Sequence, residues 1–130
     1  MTHEELKAAA VAMLDRAYVP YSHFPVGAAL ECSDGTVFTG CNIENASYTP
    51  TICAERTAVS KAVSEGHRDF VRIVIAGRSE DFCVPCGVCR QVLREFAPEL
   101  EIICLNGAGE ERVFTLPELW PHSFGPEYLL

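Results

Sequence analysis

The apolar positions nearest the N-terminus, Leu6, Ala9, Ala10, Met13, Leu14 and Ala17, recur at intervals of three and four, the spacing that lays one stripe along a helix. Thr2 stands three residues before Glu5, a capping-box spacing that starts the helix, and Pro20 lies beyond its end. The pattern then becomes that of strands. Residues 26–31 and 36–41 are strand-like runs on either side of Ser33-Asp34-Gly35 and predict an antiparallel hairpin. A second helix is expected to start near Thr51 or Ile52, run through Ala54, Ala58 and Ala62, and close at Gly66. Beyond it the β-branched run 71–77 reads as a buried strand, and residues 87–96 as a helix stopped by Pro98. Residues 101–105 read as a further strand, 113–115 as an edge strand, and 116–120 as a short helix with Pro117 in its first turn. Strands and helices that alternate from residue 71 onward need crossover connections, hence a partly parallel sheet to which the hairpin adds antiparallel strands at one side. The expected fold class is α/β, three layers (α/β/α) around a mixed sheet of about five strands.

Composition narrows this picture. A chain of 130 residues with 48% hydrophobic content supports one core, so a single domain over residues 1–130 is expected. The formal charge of -8, with basic residues scattered singly, leaves no cationic stripe for a nucleic acid, and no such partner is expected. No basic segment followed by an apolar run opens the chain, and no stretch approaches about eighteen uninterrupted apolar residues, so the expectation is a cytoplasmic protein with no membrane partner. In that setting seven cysteines read as thiols or metal ligands rather than disulfides.

Two of those cysteines lie in Cys86-Gly87-Val88-Cys89, directly after Pro85 and at an expected helix start, where sulfurs three residues apart can converge on one ion. The same spacing also suits a redox pair or half of a structural zinc site. Cys53 stands at another expected helix start, where unpaired backbone N–H groups and the positive dipole end favour a thiolate. Three protein ligands leave the fourth tetrahedral position to water, the arrangement of a catalytic zinc, and Glu55 is two residues from Cys53. Cys83 would supply a fourth thiol and a closed structural site instead. His3, His23, His67 and His122 have no spacing that competes with the cysteines.

Cys53-Ala54-Glu55-Arg56, followed by Pro85-Cys86-Gly87-Val88-Cys89, resembles the cytidine deaminases, small homotetrameric zinc enzymes. The likeness extends from Tyr21-Ser22-His23-Phe24-Pro25-Val26-Gly27-Ala28, through Cys41-Asn42-Ile43-Glu44-Asn45-Ala46-Ser47-Tyr48, to Ser123-Phe124-Gly125-Pro126. It implies one Zn²⁺ per chain on Cys53, Cys86 and Cys89, and hydrolytic deamination of cytidine and deoxycytidine to uridine and deoxyuridine. Glu55 would take a proton from the attacking water and then protonate, in turn, ring N3 and the leaving amine. Phe24 would face the base, Asn42 and Glu44 the ribose hydroxyls, with Ala54 also in the substrate site and Tyr48 and Phe124 reaching across subunit boundaries. Three thiolates and Zn²⁺ leave a net negative charge, which a donor to sulfur relieves, and the resemblance gives that part to Arg56. Two other substrate readings share the metal machinery: a different aminated pyrimidine or cytosine-bearing antibiotic, and a cytosine in a nucleic acid, which the charge opposes.

Overall fold

In the computed structural model, which describes residues 1–130, Thr2 Oγ1 accepts from the Glu5 N–H at 3.1 Å and Glu5 Oε1 accepts from the Thr2 N–H at 3.0 Å. This reciprocal pair starts helix α1 (His3–Ala12), a cap worth about 1 kcal/mol, and a 3₁₀ turn at Met13–Arg16 ends the segment. Strand β1 (Val26–Cys32) and strand β2 (Val37–Cys41) form the expected hairpin. Helix α2 (Ala54–Ser64), strand β3 (Phe70–Gly77), helix α3 (Gly87–Phe96), strand β4 (Glu101–Leu105), strand β5 (Glu111–Thr115) and the short helix α4 (Leu116–Leu119) follow in order. A last 3₁₀ turn occupies Pro126–Tyr128. No helix is long and apolar enough to cross a membrane.

The five strands lie in the order β2-β1-β3-β4-β5, and only β3 and β4 are parallel, the pair joined by the α3 crossover. The central strands read as continuous apolar runs because both faces are covered. Ala28, Leu30, Ile73, Ile75, Ile102 and Cys104 pack on one face with Ala58, Ala62 and Leu93 of α2 and α3. The alternate residues Ala29, Val74, Ala76, Ile103 and Leu105 pack on the other with Leu6, Ala10 and Leu14. That is the α/β/α sandwich the pattern predicts, with a period of two deciding which core each strand residue joins.

The register gathers the chemistry at one edge of the sheet. Val26 at the start of β1 pairs with Gly77 at the end of β3, and Gly27 pairs with Cys41 at the end of β2. The segments leaving β2 and β3 toward α2 and α3 therefore emerge on either side of the start of β1, at the carboxyl ends of their own strands, where α/β sheets place their sites. Helix α2 starts at Ala54, two residues later than the nearer of the two expected starts. Ile52 exchanges both backbone hydrogen bonds with Ile43, each at 3.0 Å, so the chain is still strand-like there and Cys53 becomes the N-cap. Gly40 lets this helix start seat on β2, since a Cβ at that position would stand 2.3 Å from the Ala54 carbonyl oxygen. Thr57 Oγ1, 3.0 Å from the Cys41 carbonyl oxygen, ties the same turn to the end of β2.

Candidate active site

Cys53 and Cys86 are the N-caps of α2 and α3, and Cys89 is one turn into α3 and fully buried. The sulfurs of Cys53, Cys86 and Cys89 all lie within 4.8 Å of one another, and those of Cys53 and Cys86 are 3.8 Å apart. Zinc–sulfur bonds of about 2.3 Å in a tetrahedron require sulfurs about 3.8 Å apart, so the spacing fits such an ion before one is placed. Three soft thiols with two helix N-termini aimed at them suit a thiophilic cation. Cys83 stands outside this group. Burial pushes its thiol up to about 12.

The hydrogen bond shared with Cys89, followed by Arg56, holds Cys53 down at about 5. The guanidinium Nη2 of Arg56 donates to Cys53 Sγ at 3.5 Å. Cys89 moves the opposite way, raised by the hydrogen bond it shares with Cys53 and by burial. Arg90 fixes the other side of the cluster, donating through Nε to the Pro85 carbonyl and through Nη1 to the Leu119 carbonyl, both at 2.8 Å.

Glu55 is in the first turn of α2 yet only 4% exposed, where an ordinary first-turn glutamate would face solvent. Burial raises its carboxyl to about 7, which puts a proton acceptor and donor in the same group near neutral pH. It borders a cavity of about 150 Å³ together with Phe24, Val26, Asn42, Cys53, Ala54 and Cys86. Beside this cavity is a wider recess of about 420 Å³ bordered by Tyr21, Ser22, Glu44, Tyr48 and Thr51. Asn42 borders the first and Glu44 the second, and the two residues are held on one strip. Tyr18 N–H donates to the Asn42 carbonyl at 3.0 Å, and Glu44 N–H donates to the Tyr18 carbonyl at 2.9 Å.

The chain itself uses part of what these polar side chains offer. Asn42 Oδ1 accepts from the Val26 N–H at 2.9 Å and its Nδ2 donates to the Phe24 carbonyl at 2.8 Å, leaving one N–H and one lone pair for anything else. Phe24, 45% exposed, is held by its backbone and borders the cavity. Tyr48 is 73% exposed beside Glu44, in the left-handed region at φ 63°. Phe124, 54% exposed, borders neither cavity: its carbonyl accepts from Gln91 Nε2 at 2.9 Å and its ring stacks on Tyr128 at 5.0 Å. Cys32, Cys41 and Cys104 are buried away from the cluster, and the histidines take no part in it; His3 and His67 pair with Glu111 and Asp34.

The model of the cytidine and deoxycytidylate deaminase zinc-binding region matches residues 1–105. The chain belongs to this deaminase family. A cytidine deaminase of Sporosarcina psychrophila is 45% identical over 99% of this chain and 96% of its own length. One of Halalkalibacterium halodurans is 46% identical over 98% and 97%. The crystal structure of cytidine deaminase from Burkholderia pseudomallei superposes with a TM-score of 0.91 at 47% identity, covering 95% of this chain and 100% of that one. The deaminase is a zinc protein, and Cys53, Cys86 and Cys89 form the cluster able to hold the ion. Ser22 and Arg90 carry no signal of their own in the sequence, where nothing distinguishes a loop serine or a helical arginine from surface residues.

Proposed function

We propose that residues 1–130 act as one domain that hydrolyses the exocyclic amino group of free cytidine and deoxycytidine, releasing ammonia and uridine or deoxyuridine for pyrimidine salvage. The observation that carries this reading is a buried carboxyl, Glu55, bordering one cavity with two of three converging thiols. Zinc on Cys53, Cys86 and Cys89 supplies a water acidic enough to attack at neutral pH. Glu55 takes one proton from the attacking water at its carboxylate and delivers it to ring N3, then takes the second proton from the new C4 hydroxyl and delivers it to the departing amine, so that ammonia leaves as the C4 carbonyl forms. Phe24 and Ala54 wall the pyrimidine, while the free N–H of Asn42 and the carboxylate of Glu44 receive the sugar hydroxyls. The base then lies at the thiols and the sugar in the wider recess.

Three thiolates give the centre a negative charge that opposes ionisation of the water, and the Arg56 hydrogen bond to Cys53 relieves it. Arg56→Gln shortens the side chain and removes the charge, so kcat is expected to fall about 10- to 100-fold with zinc still bound. Steady-state rates beside metal content by atomic absorption check this.

The working form is a homotetramer in the cytoplasm, with sites at subunit interfaces that Tyr48 and Phe124 help to enclose. The exposed rings of both residues support this, as does the position of Phe124 outside its own chain's cavities. The direct test follows ammonia release from cytidine, deoxycytidine, cytosine and cytidine 5′-monophosphate. The nucleosides are turned over, and the fixed charge of Glu44 makes kcat/KM for the monophosphate about 100-fold lower, a repulsion of about 3 kcal/mol. Absence of ammonia from cytidine refutes the activity; equal efficiency on the monophosphate refutes the preference.

A further inference from the structure

The recess that receives the sugar contains a hydroxyl with two simultaneous bonds. Ser22 Oγ–H donates to Glu44 Oε2, and the same Oγ accepts from the Phe24 N–H at 3.0 Å. The other carboxylate oxygen, Glu44 Oε1, accepts from the Tyr21 N–H at 3.0 Å and the Ser22 N–H at 3.1 Å. Three donors from one short segment thus converge on Glu44. A carboxylate offers about four acceptor sites, so about one remains, on Oε2. Ser22 decides which way that site faces, because Oε2 has no other partner in the chain.

We propose that Ser22 is a positioning residue for sugar recognition: its hydroxyl clamps Glu44 so that the remaining acceptor site of the carboxylate meets a ribose hydroxyl. This rests on the reading that Glu44 receives the sugar. The bond from Phe24 to Ser22 matters less, since Phe24 is also held at its carbonyl by Asn42 Nδ2 at 2.8 Å and keeps its place when Ser22 loses the hydroxyl. Glu44 keeps two backbone donors on Oε1 but can then swing Oε2. The loss therefore falls on the sugar and not on the base. The clamp also matches the charge state of Glu44, whose carboxyl is held below the usual carboxylate range first of all by the Ser22 hydroxyl.

The test compares cytidine with 2′,3′-dideoxycytidine, which lacks both sugar hydroxyls next to the recess, on the zinc-loaded full chain and on Ser22→Ala, Ser22→Thr and Glu44→Gln. In Ser22→Ala the KM for cytidine should rise about tenfold with kcat within twofold, while KM for the dideoxy substrate changes less than threefold; a bond to a charged acceptor has this order of effect. Ser22→Thr, which keeps the hydroxyl, should keep the parental ratio between the substrates. Glu44→Gln separates the two readings. If it leaves the ratio at the parental value, Glu44 does not read the sugar. If it collapses the ratio while Ser22→Ala does not, Glu44 reads the sugar and the clamp is wrong. A fall in Ser22→Ala that is equal on both substrates, or confined to kcat, also overturns the clamp, because a serine that only holds the loop would produce that.

Discussion

Replacing Glu55 by Gln is expected to lower kcat on cytidine about 1000-fold with zinc still bound, because a positioned acid–base group contributes about 10²- to 10⁴-fold. A thousandfold loss is about 4 kcal/mol of transition-state stabilisation. The isosteric amide fits the buried niche of the carboxyl, leaves the three sulfurs untouched and removes only the capacity to carry a proton from water to N3. It should therefore bind substrate with a KM near the parental value. Single-turnover kinetics with metal analysis check both halves. Turnover at the parental rate in the Glu55→Gln variant would remove the carboxyl from the mechanism while leaving the metal cluster standing.

Glu55 also shows what the chain alone reveals and where it stops. Its spacing from Cys53 makes it a candidate, but the burial that sets it apart from an exposed helix-start glutamate comes only with the fold, once the first turn of α2 is seated on β2 at Gly40. The layered sheet is legible because its central strands lie between two cores and carry uninterrupted apolar runs, and because Pro98 and Gly66 end the helices abruptly. The start of α2 falls two residues beyond its expected place because the Ile43–Ile52 bridge is a long-range pairing that no local pattern encodes. In the site, the three cysteines are legible from spacing and helix position. Asn42 is legible as a polar group, but its bonds to Val26 and Phe24 appear only once the end of β2 meets the start of β1. Ser22 gains its significance through the same closure, twenty-two residues away from Glu44. Phe124 sits on the flank of α3, its carbonyl held by Gln91 and its ring stacked on Tyr128, and no local pattern in the sequence shows that it borders neither cavity of its own chain.

Cys89→Ala and Cys83→Ala are expected to part company, although both thiols lie between the end of β3 and the first turn of α3. Cys89 is fully buried with its sulfur in the converging group, and two thiols cannot hold zinc against water as three can. Cys89→Ala should lose the metal and with it at least on the order of 10⁴-fold in kcat/KM, since water without zinc has a pKa about nine units higher. Thermal unfolding should drop by about 10 °C or more, because binding energy gained only by the folded chain is lost, several kcal/mol at a few degrees each for a domain of this size. Cys83 packs its Cβ and Sγ against Gly77, and burial keeps its proton on. Removing that sulfur opens a small gap costing about 1 kcal/mol and leaves the three-sulfur cluster whole, so zinc should stay and turnover should remain within about threefold. A closed four-thiol structural site predicts the reverse for Cys83→Ala, with metal lost on dialysis. Zinc analysis of these two variants therefore separates an open catalytic centre from a structural one without relying on any substrate.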